Sequence, residues 1–386
     1  MARQMPTGSI ETELRNLSQA TDADLPVLTL YLDARGQDQH QREALRTFVR
    51  RGLADVRRAW RGPAPAGASL ETDLARAERY VAALTARGGA GRAPGIALFA
   101  CAARDLFADL CVPVPFRNQF AVGRAPRLAQ LSALADEYES ALVALVDAGS
   151  ARIFASALGG VLFEMDLASD VPGRHKQGGW AQARYQRHIR ARQAEHHKGV
   201  AAVLAEGLNG EGFRHAILGG PREARLDVRR FLPPALEPRI IGEVDLPVRA
   251  ALPRVQEAAR ALLQAWERRH EATAVRDLLD RAGNPAQAAL GAANVVAAVN
   301  RRAVHLLLVA EGFAAAGWAC SACGGLQVAA TLGCPRCGGT MAAEDLREAL
   351  VAAVLRARGG IEWVSAQPAL ERLGGVGAFL RPPRPR

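Results

Sequence analysis

The stretch VPGRHKQGGWAQARYQRHIRARQAEHHKGV, Val171 to Val200, decides how the rest of the chain is read. It carries seven Lys or Arg residues against one acid, Glu195, and four of the chain's eight histidines. Pro172, Gly173, Gly178 and Gly179 make its first part a loop. From about Ala181 it runs without Gly or Pro as far as Gly199. The pattern predicts a glycine-tipped loop feeding a long basic helix. Tyr185 and Ile189 are the only large apolar residues of that helix before Val200, so it has almost no stripe to bury. Arg184, Arg187, Arg190, Arg192 and Lys198 spread around its circumference, and Arg174, His175 and Lys176 make the loop basic as well. A helix polar all round stands in solvent or lies on a partner, and at this charge the natural partner is a phosphate backbone. His188, His196 and His197 suggest a metal at first sight. Adjacent histidines on a helix diverge by about 100°, however, and no carboxylate is spaced to complete a site. They are read as RNA-facing or surface groups.

Working outward, 386 residues give room for two or three domains. Hydrophobic residues make up 49% but aromatics only 5%, so the cores must be built of Ala, Leu and Val. A formal charge of +10 favours an anionic partner. Residues 1–20 are polar and no apolar run is long enough to span a bilayer, which predicts a cytoplasmic location and no membrane partner. The chain has no G-x-x-x-x-G-K-S/T loop and no G-x-S-x-G, which argues against nucleotide hydrolysis and against a serine nucleophile.

The order of elements predicts an α/β chain in three parts. Residues 1–135 alternate strands (Val27 to Leu32, Gly95 to Ala100) with amphipathic helices and a Pro/Gly/Ala loop at Gly62 to Gly67. Residues 136–275 begin with a three-stranded meander (ALVALVD, ARIFA, VLFEM), continue through the basic loop-helix, and close a mixed sheet with strands at His215 to Leu218 and Arg239 to Val244. Residues 276–386 carry a small-residue helix at Gln287 to Asn300, a buried strand at Val304 to Val309 and a cysteine insert at 317–340.

In that insert Cys320-x-x-Cys323 and Cys334-x-x-Cys337 lie ten residues apart, each pair followed by a glycine doublet. The glycines let the backbone turn so that two thiolates converge on one ion. Four thiolates with no histidine nearby predict a closed tetrahedral Zn2+ site, structural rather than catalytic. Such a site contributes on the order of 10 kcal/mol to a small core-poor unit.

Three features give the chain a resemblance to the archaeal and eukaryotic class-1 peptide chain release factors and their bacterial relatives. The segment Lys176 to Lys198 resembles the family's Gly-Gly-Gln loop and the basic helix after it. The ending LGGVGAFLR (Leu373 to Arg381) is similar to the glycine-rich last strand of the family's third domain. The cysteine ribbon is similar to the one archaeal members insert in that domain. The resemblance implies a release-factor-like three-domain fold and binding to the ribosomal A site, with rRNA and peptidyl-tRNA as partners and no DNA. It also implies a translational GTPase as a possible partner of the third domain. The first domain is matched only as a separate α/β unit, so codon reading is not implied. In the family the loop glutamine positions a water against the peptidyl-tRNA ester, and placement supplies the rate. Here Gly178 and Gly179 match the two glycines, but Trp180 stands where the glutamine is expected and Gln182 follows two residues later; Gln177 is a second candidate. Two functions stay open. One is a ribosome-dependent peptidyl-tRNA hydrolase for termination or rescue, with Gln182 placing water. The other is a non-hydrolytic hibernation factor of Balon type that occupies the A site of idle ribosomes, with Trp180 stacked on a base.

Either function predicts salt-sensitive binding. Neutralising about 5 phosphates gives a slope of log K against log salt of about −3 to −5, measurable by ribosome co-sedimentation over a salt series. A flat response would contradict the phosphate contact.

Overall fold

The computed structural model describes residues 3–4, 7–20, 25–35, 38–62, 64–86, 93–138, 140–157, 160–168, 180–210 and 212–382. The chain divides into two compact units. One joins Ile10–Glu137 to Arg268–Arg386, and the other holds Tyr138–Glu267. Among the described residues no helix is long and apolar enough to cross a membrane.

The N-terminal part runs β1 (Arg3–Gln4), α1 (Thr7–Gln19), β2 (Val27–Asp33), α2 (Gln39–Ala59), α3 (Ala64–Ala86), β3 (Gly95–Cys101), β4 (Leu106–Val112), β5 (Gln119–Gly123) and α4 (Ala129–Glu137). Its sheet has the order β1-β4-β3-β2-β5. Strand alternation sends Leu28, Leu30, Leu32, Ile96 and Leu98 to one face. There they pack on Leu45, Val49 and Leu53 of α2 and on Leu70, Leu74 and Val81 of α3. Helix α3 begins at Ala64, inside the segment expected to be a Pro/Gly/Ala loop. Pro65 is tolerated in a first helical turn, where its missing N–H would have had no partner.

The second unit contains β6 (Ala141–Val146), β7 (Ser150–Ala157), β8 (Gly160–Ala168), α5 (Trp180–Asn209), β9 (His215–Gly219), α6 (Arg222–Phe231), β10 (Ile240–Val244) and the first part of α7 (Leu252–Arg281). The sheet order is β10-β9-β6-β7-β8. β10, β9 and β6 run parallel, while β6, β7 and β8 form the antiparallel meander, so the sheet is mixed as the sequence predicts. One face, with Leu142, Ala144, Val146, Ile153 and Leu218, is covered by α5 and α6. The other, with Val143, Leu145, Phe154 and Ile217, is covered by Val255 and Ala259 of α7. The unit is thus a helix–sheet–helix sandwich.

Two expectations are corrected in α5. The helix does not stop near Gly199 but continues through it to Asn209. A mid-helix glycine costs only about 1 kcal/mol, and the residues after it (Val200, Ala201, Leu204 and Leu208) bury fully against the sheet. His196 and His197 are not RNA-facing: both are buried, at 4% and 3% exposure. They lie one turn before that apolar run and share its inward side.

The C-terminal part runs β11 (Ala288–Leu290), α8 (Gly291–Asn300), β12 (Val304–Ala310), β13 (Ala316–Cys320), β14 (Leu326–Gln327), β15 (Met341–Asp345), α9 (Leu346–Arg356), β16 (Gly360–Val364), α10 (Pro368–Arg372) and β17 (Val376–Leu380). Four strands form a sheet in the order β11-β17-β12-β16, and β14-β13-β15 form a small separate one that carries the cysteines. The helix expected from Gln287 starts only at Gly291. Ala288–Leu290 pair antiparallel with β17 instead, and Gly291 turns the chain with φ +75°. The carboxylate of Glu348 on α9 accepts the backbone N–H groups of Leu128 and Ala129 at 2.9 and 3.0 Å. It thereby satisfies donors at the start of α4 that have no helical partner.

At the end of β9 the chain turns through Gly220 at φ +104°, where a Cβ would sit 1.9 Å from the Val146 carbonyl oxygen. Gly220→Ala is expected to destabilise the second unit by about 3 kcal/mol or more, read as a lowered urea midpoint. A variant with the wild-type midpoint would contradict this turn.

Burial pulls the His196 pKa below its ordinary value, so the fold prefers the neutral ring. The unfolded chain therefore binds the extra proton first. The associated stability is full above the ordinary histidine pKa of about 6.5 and is lost as pH falls below it. His196→Gln should flatten the loss of thermal stability between about pH 7 and pH 5. An unchanged pH profile would contradict it.

Candidate nucleic-acid interface and metal centre

Helix α5 has two halves of different character. From Val200 onward it is held by the core, with Val200, Ala201, Leu204 and Leu208 at or below 1% exposure. At the junction His197 is pinned by two contacts. Its Nδ1 lies 3.2 Å from Asp227 Oδ2 of α6, and its Nε2 lies 3.2 Å from the carbonyl oxygen of Asp147 after β6. Before the junction Arg187, His188, Arg190 and Arg192 are exposed, with Ile189 the buried exception, and Lys198 is exposed beside the histidines. These exposed cations give the first part of the helix a basic face on which a phosphate is favoured.

The expected site residues are distributed unevenly over this frame. Trp180, Gln182 and Arg184 lie in the first turns of α5. Arg174, Lys176, Gln177, Gly178 and Gly179 lie outside the described residues. The His197–Asp227 pair was not legible in the sequence. Its one signal was an acid, Asp227, on the amphipathic helix α6, and nothing in spacing linked that acid to a residue 30 positions earlier.

The four cysteines do come together. The Sγ atoms of Cys320, Cys323, Cys334 and Cys337 all lie within 4.8 Å of one another, with 3.5 Å between Cys320 and Cys337 and 3.6 Å between Cys323 and Cys334. A tetrahedron of thiolates around Zn2+ has sulfurs about 3.8 Å apart. Each glycine doublet divides its work. Gly324 and Gly338 take φ of +69° and +73°, which L side chains rarely adopt. Gly325 and Gly339 leave room for sulfur, since a Cβ would sit 3.3 Å from Cys323 Sγ and 3.1 Å from Cys320 Sγ respectively.

The thiol chemistry points the same way. The Cys323 amide, helped by that of Ala322, favours the Cys320 thiolate and lowers its pKa to about 6. The Arg336 and Cys337 amides lower that of Cys334. At Cys337 the Gly339 amide pulls the pKa down, but the Cys323 and Cys320 sulfurs outweigh it and push it up to about 12. Four thiolates this close repel one another unless a cation sits among them, so the group fits a metal ion. The purified chain is expected to hold one divalent ion by elemental analysis, and Cys320→Ser with Cys334→Ser to hold none. Four thiols reacting freely with a thiol reagent in native buffer would contradict a metal site.

Comparison with known proteins matches residues 126–267 to the family model described as bacterial archaeo-eukaryotic release factor family 10. A curated relative, peptide chain release factor subunit 1 of Methanopyrus kandleri, is 32% identical over 182 residues. That match takes in 45% of this chain and 40% of the relative, so it spans less than half the relative's length. Among solved structures, the archaeal termination factor aRF1 is similar at 16% identity, covering 98% of this chain and 99% of its own, with a TM-score of 0.28. Dom34 of S. cerevisiae is similar at 13% identity, covering 73% of this chain and 74% of its own, with a TM-score of 0.43. The family match takes in the unit that carries the basic helix, and over that stretch the chain is similar to the bacterial archaeo-eukaryotic release factors of family 10.

Proposed function

We propose that this chain is a ribosome-binding factor of release-factor type, made of three domains at 1–135, 136–275 and 276–386. In this reading the exposed cations Arg187, Arg190, Arg192 and Lys198 of α5, with Arg184 and the basic loop residues Arg174 and Lys176, lie on ribosomal RNA in the A site. The loop with Gly178 and Gly179 reaches the peptidyl-transferase centre, and Gln182 places a water for hydrolysis of peptidyl-tRNA. The observation that carries the reading is the split of α5 into a basic solvent-facing half and a half fixed in the core. The ion among the four cysteines is zinc, with a structural role, and a translational GTPase is the partner of the C-terminal part.

A second reading has its own support. Helix α5 starts at Trp180, which places Gln182 in the first helical turn rather than in the loop ahead of it. A glutamine with helical backbone cannot extend with the loop tip, and that favours a non-hydrolytic plug of Balon type in which Trp180 stacks on a base.

Two measurements test these readings. Replacing Arg184, Arg187 and Arg190 by Glu should abolish co-sedimentation with ribosomes and leave thermal unfolding nearly unchanged; a variant that still pellets would rule out the helix as the contact. On ribosomes loaded with peptidyl-tRNA, the hydrolase reading predicts peptide release that Gln182→Ala lowers about 100-fold or more. The plug reading predicts no release by either protein.

A further inference from the structure

One cavity of the first unit is not used by any of this. Ala349, Ala352, Ala353 and Arg356 recur along α9 at i, i+3, i+4 and i+7 and line a cavity of about 270 Å³. Across from them stand Arg124, just after β5, and the backbone of the cysteine knuckle around Ser321. The volume lies just below the range for small-molecule sites, which begins at about 300 Å³.

The charges around the cavity do not balance internally. Its two carboxylates are committed, Glu344 to Arg127 at 2.6 Å and Glu348 to the Leu128 and Ala129 amides. Arg124 donates through Nη1 to the Ser321 carbonyl oxygen at 2.6 Å, and Arg356 donates through Nε to the Ser18 carbonyl oxygen at 3.3 Å. Each guanidinium has five N–H donors, and among the described residues neither of these two forms an ion pair with an acid. Burial, with Arg302 as a further nearby cation, makes the charge on Arg356 costly, as its lowered pKa reflects. Two guanidiniums on one cavity with its acids already engaged form a receptor for an outside oxyanion, and phosphate suits their forked geometry. The alanine face of α9 offers no side chain beyond Cβ, which makes a smooth apolar wall against which a planar ring can lie.

We propose that this cavity binds a mononucleotide, its phosphate on Arg124 and Arg356 and its base flat on the Ala349–Ala352–Ala353 face of α9. The proposal concerns binding and not hydrolysis, and it is independent of the ribosomal reading because it is tested without ribosomes.

The test is calorimetric titration of the full chain with AMP, GMP, adenosine and inorganic phosphate. AMP or GMP is expected to bind at one per chain, with adenosine and phosphate each weaker by about tenfold or more. Arg124→Gln removes a phosphate contact and Ala353→Leu fills the base wall. Each should weaken the nucleotide by about tenfold or more while the thermal midpoint stays at the wild-type value. No saturable binding of either nucleotide at millimolar concentration would overturn the proposal. So would phosphate alone binding as tightly as the nucleotide, or wild-type affinity in both folded variants.

Discussion

Burial of Val200, Ala201, Leu204 and Leu208 against one face of the mixed sheet is the constraint on which the basic helix depends. Full burial of the three larger side chains contributes roughly 5–9 kcal/mol, far more than the cost of carrying Gly199 inside the helix. That anchorage lets the same helix carry Arg187, Arg190 and Arg192 without a core of their own, since a helix fixed at one end does not need a stripe along its whole length. His197 completes the anchorage by bridging Asp227 and the Asp147 carbonyl at the point where the environment changes from core to water.

The C-terminal part solves a similar problem by different means. Its three-stranded cysteine sheet is small, with Cys320, Cys334 and Leu326 among its few buried residues. A unit of that size gains from a staple, and the sulfur geometry, the amide donors and the paired glycines all fit a single metal ion. Alongside it Glu348 feeds the unpaired amides of α4, and Glu271 does the same for the Ser365 amide and hydroxyl. These two buried carboxylates each answer donors that would otherwise have no partner.

Much of this was legible before any coordinates. The meander, the mixed sheet and the cysteine cluster followed from period-2 alternation, glycine turns and C-x-x-C spacing, which are local signals. The errors share one cause. Gly199 read as a stop and His196 and His197 read as surface groups because the surrounding residues are polar. Their fate was set by Val200 to Leu208 and by Asp227, which act through tertiary contact. The start of α8 was misplaced for the same reason, because Ala288–Leu290 have helix-forming residues but find a partner strand in β17. The α9 cavity had no sequence signal at all, since three alanines and an arginine at helical spacing read as an ordinary amphipathic helix.

The central claim is that the first half of α5 is presented to RNA while the second half is locked in the protein. A photoreactive amino acid in place of Trp180, irradiated with the protein bound to vacant ribosomes, tests it most directly. The account predicts crosslinks to large-subunit rRNA at the peptidyl-transferase centre and none from the same probe placed at Leu204. Crosslinks from position 180 confined to the protein itself would contradict it.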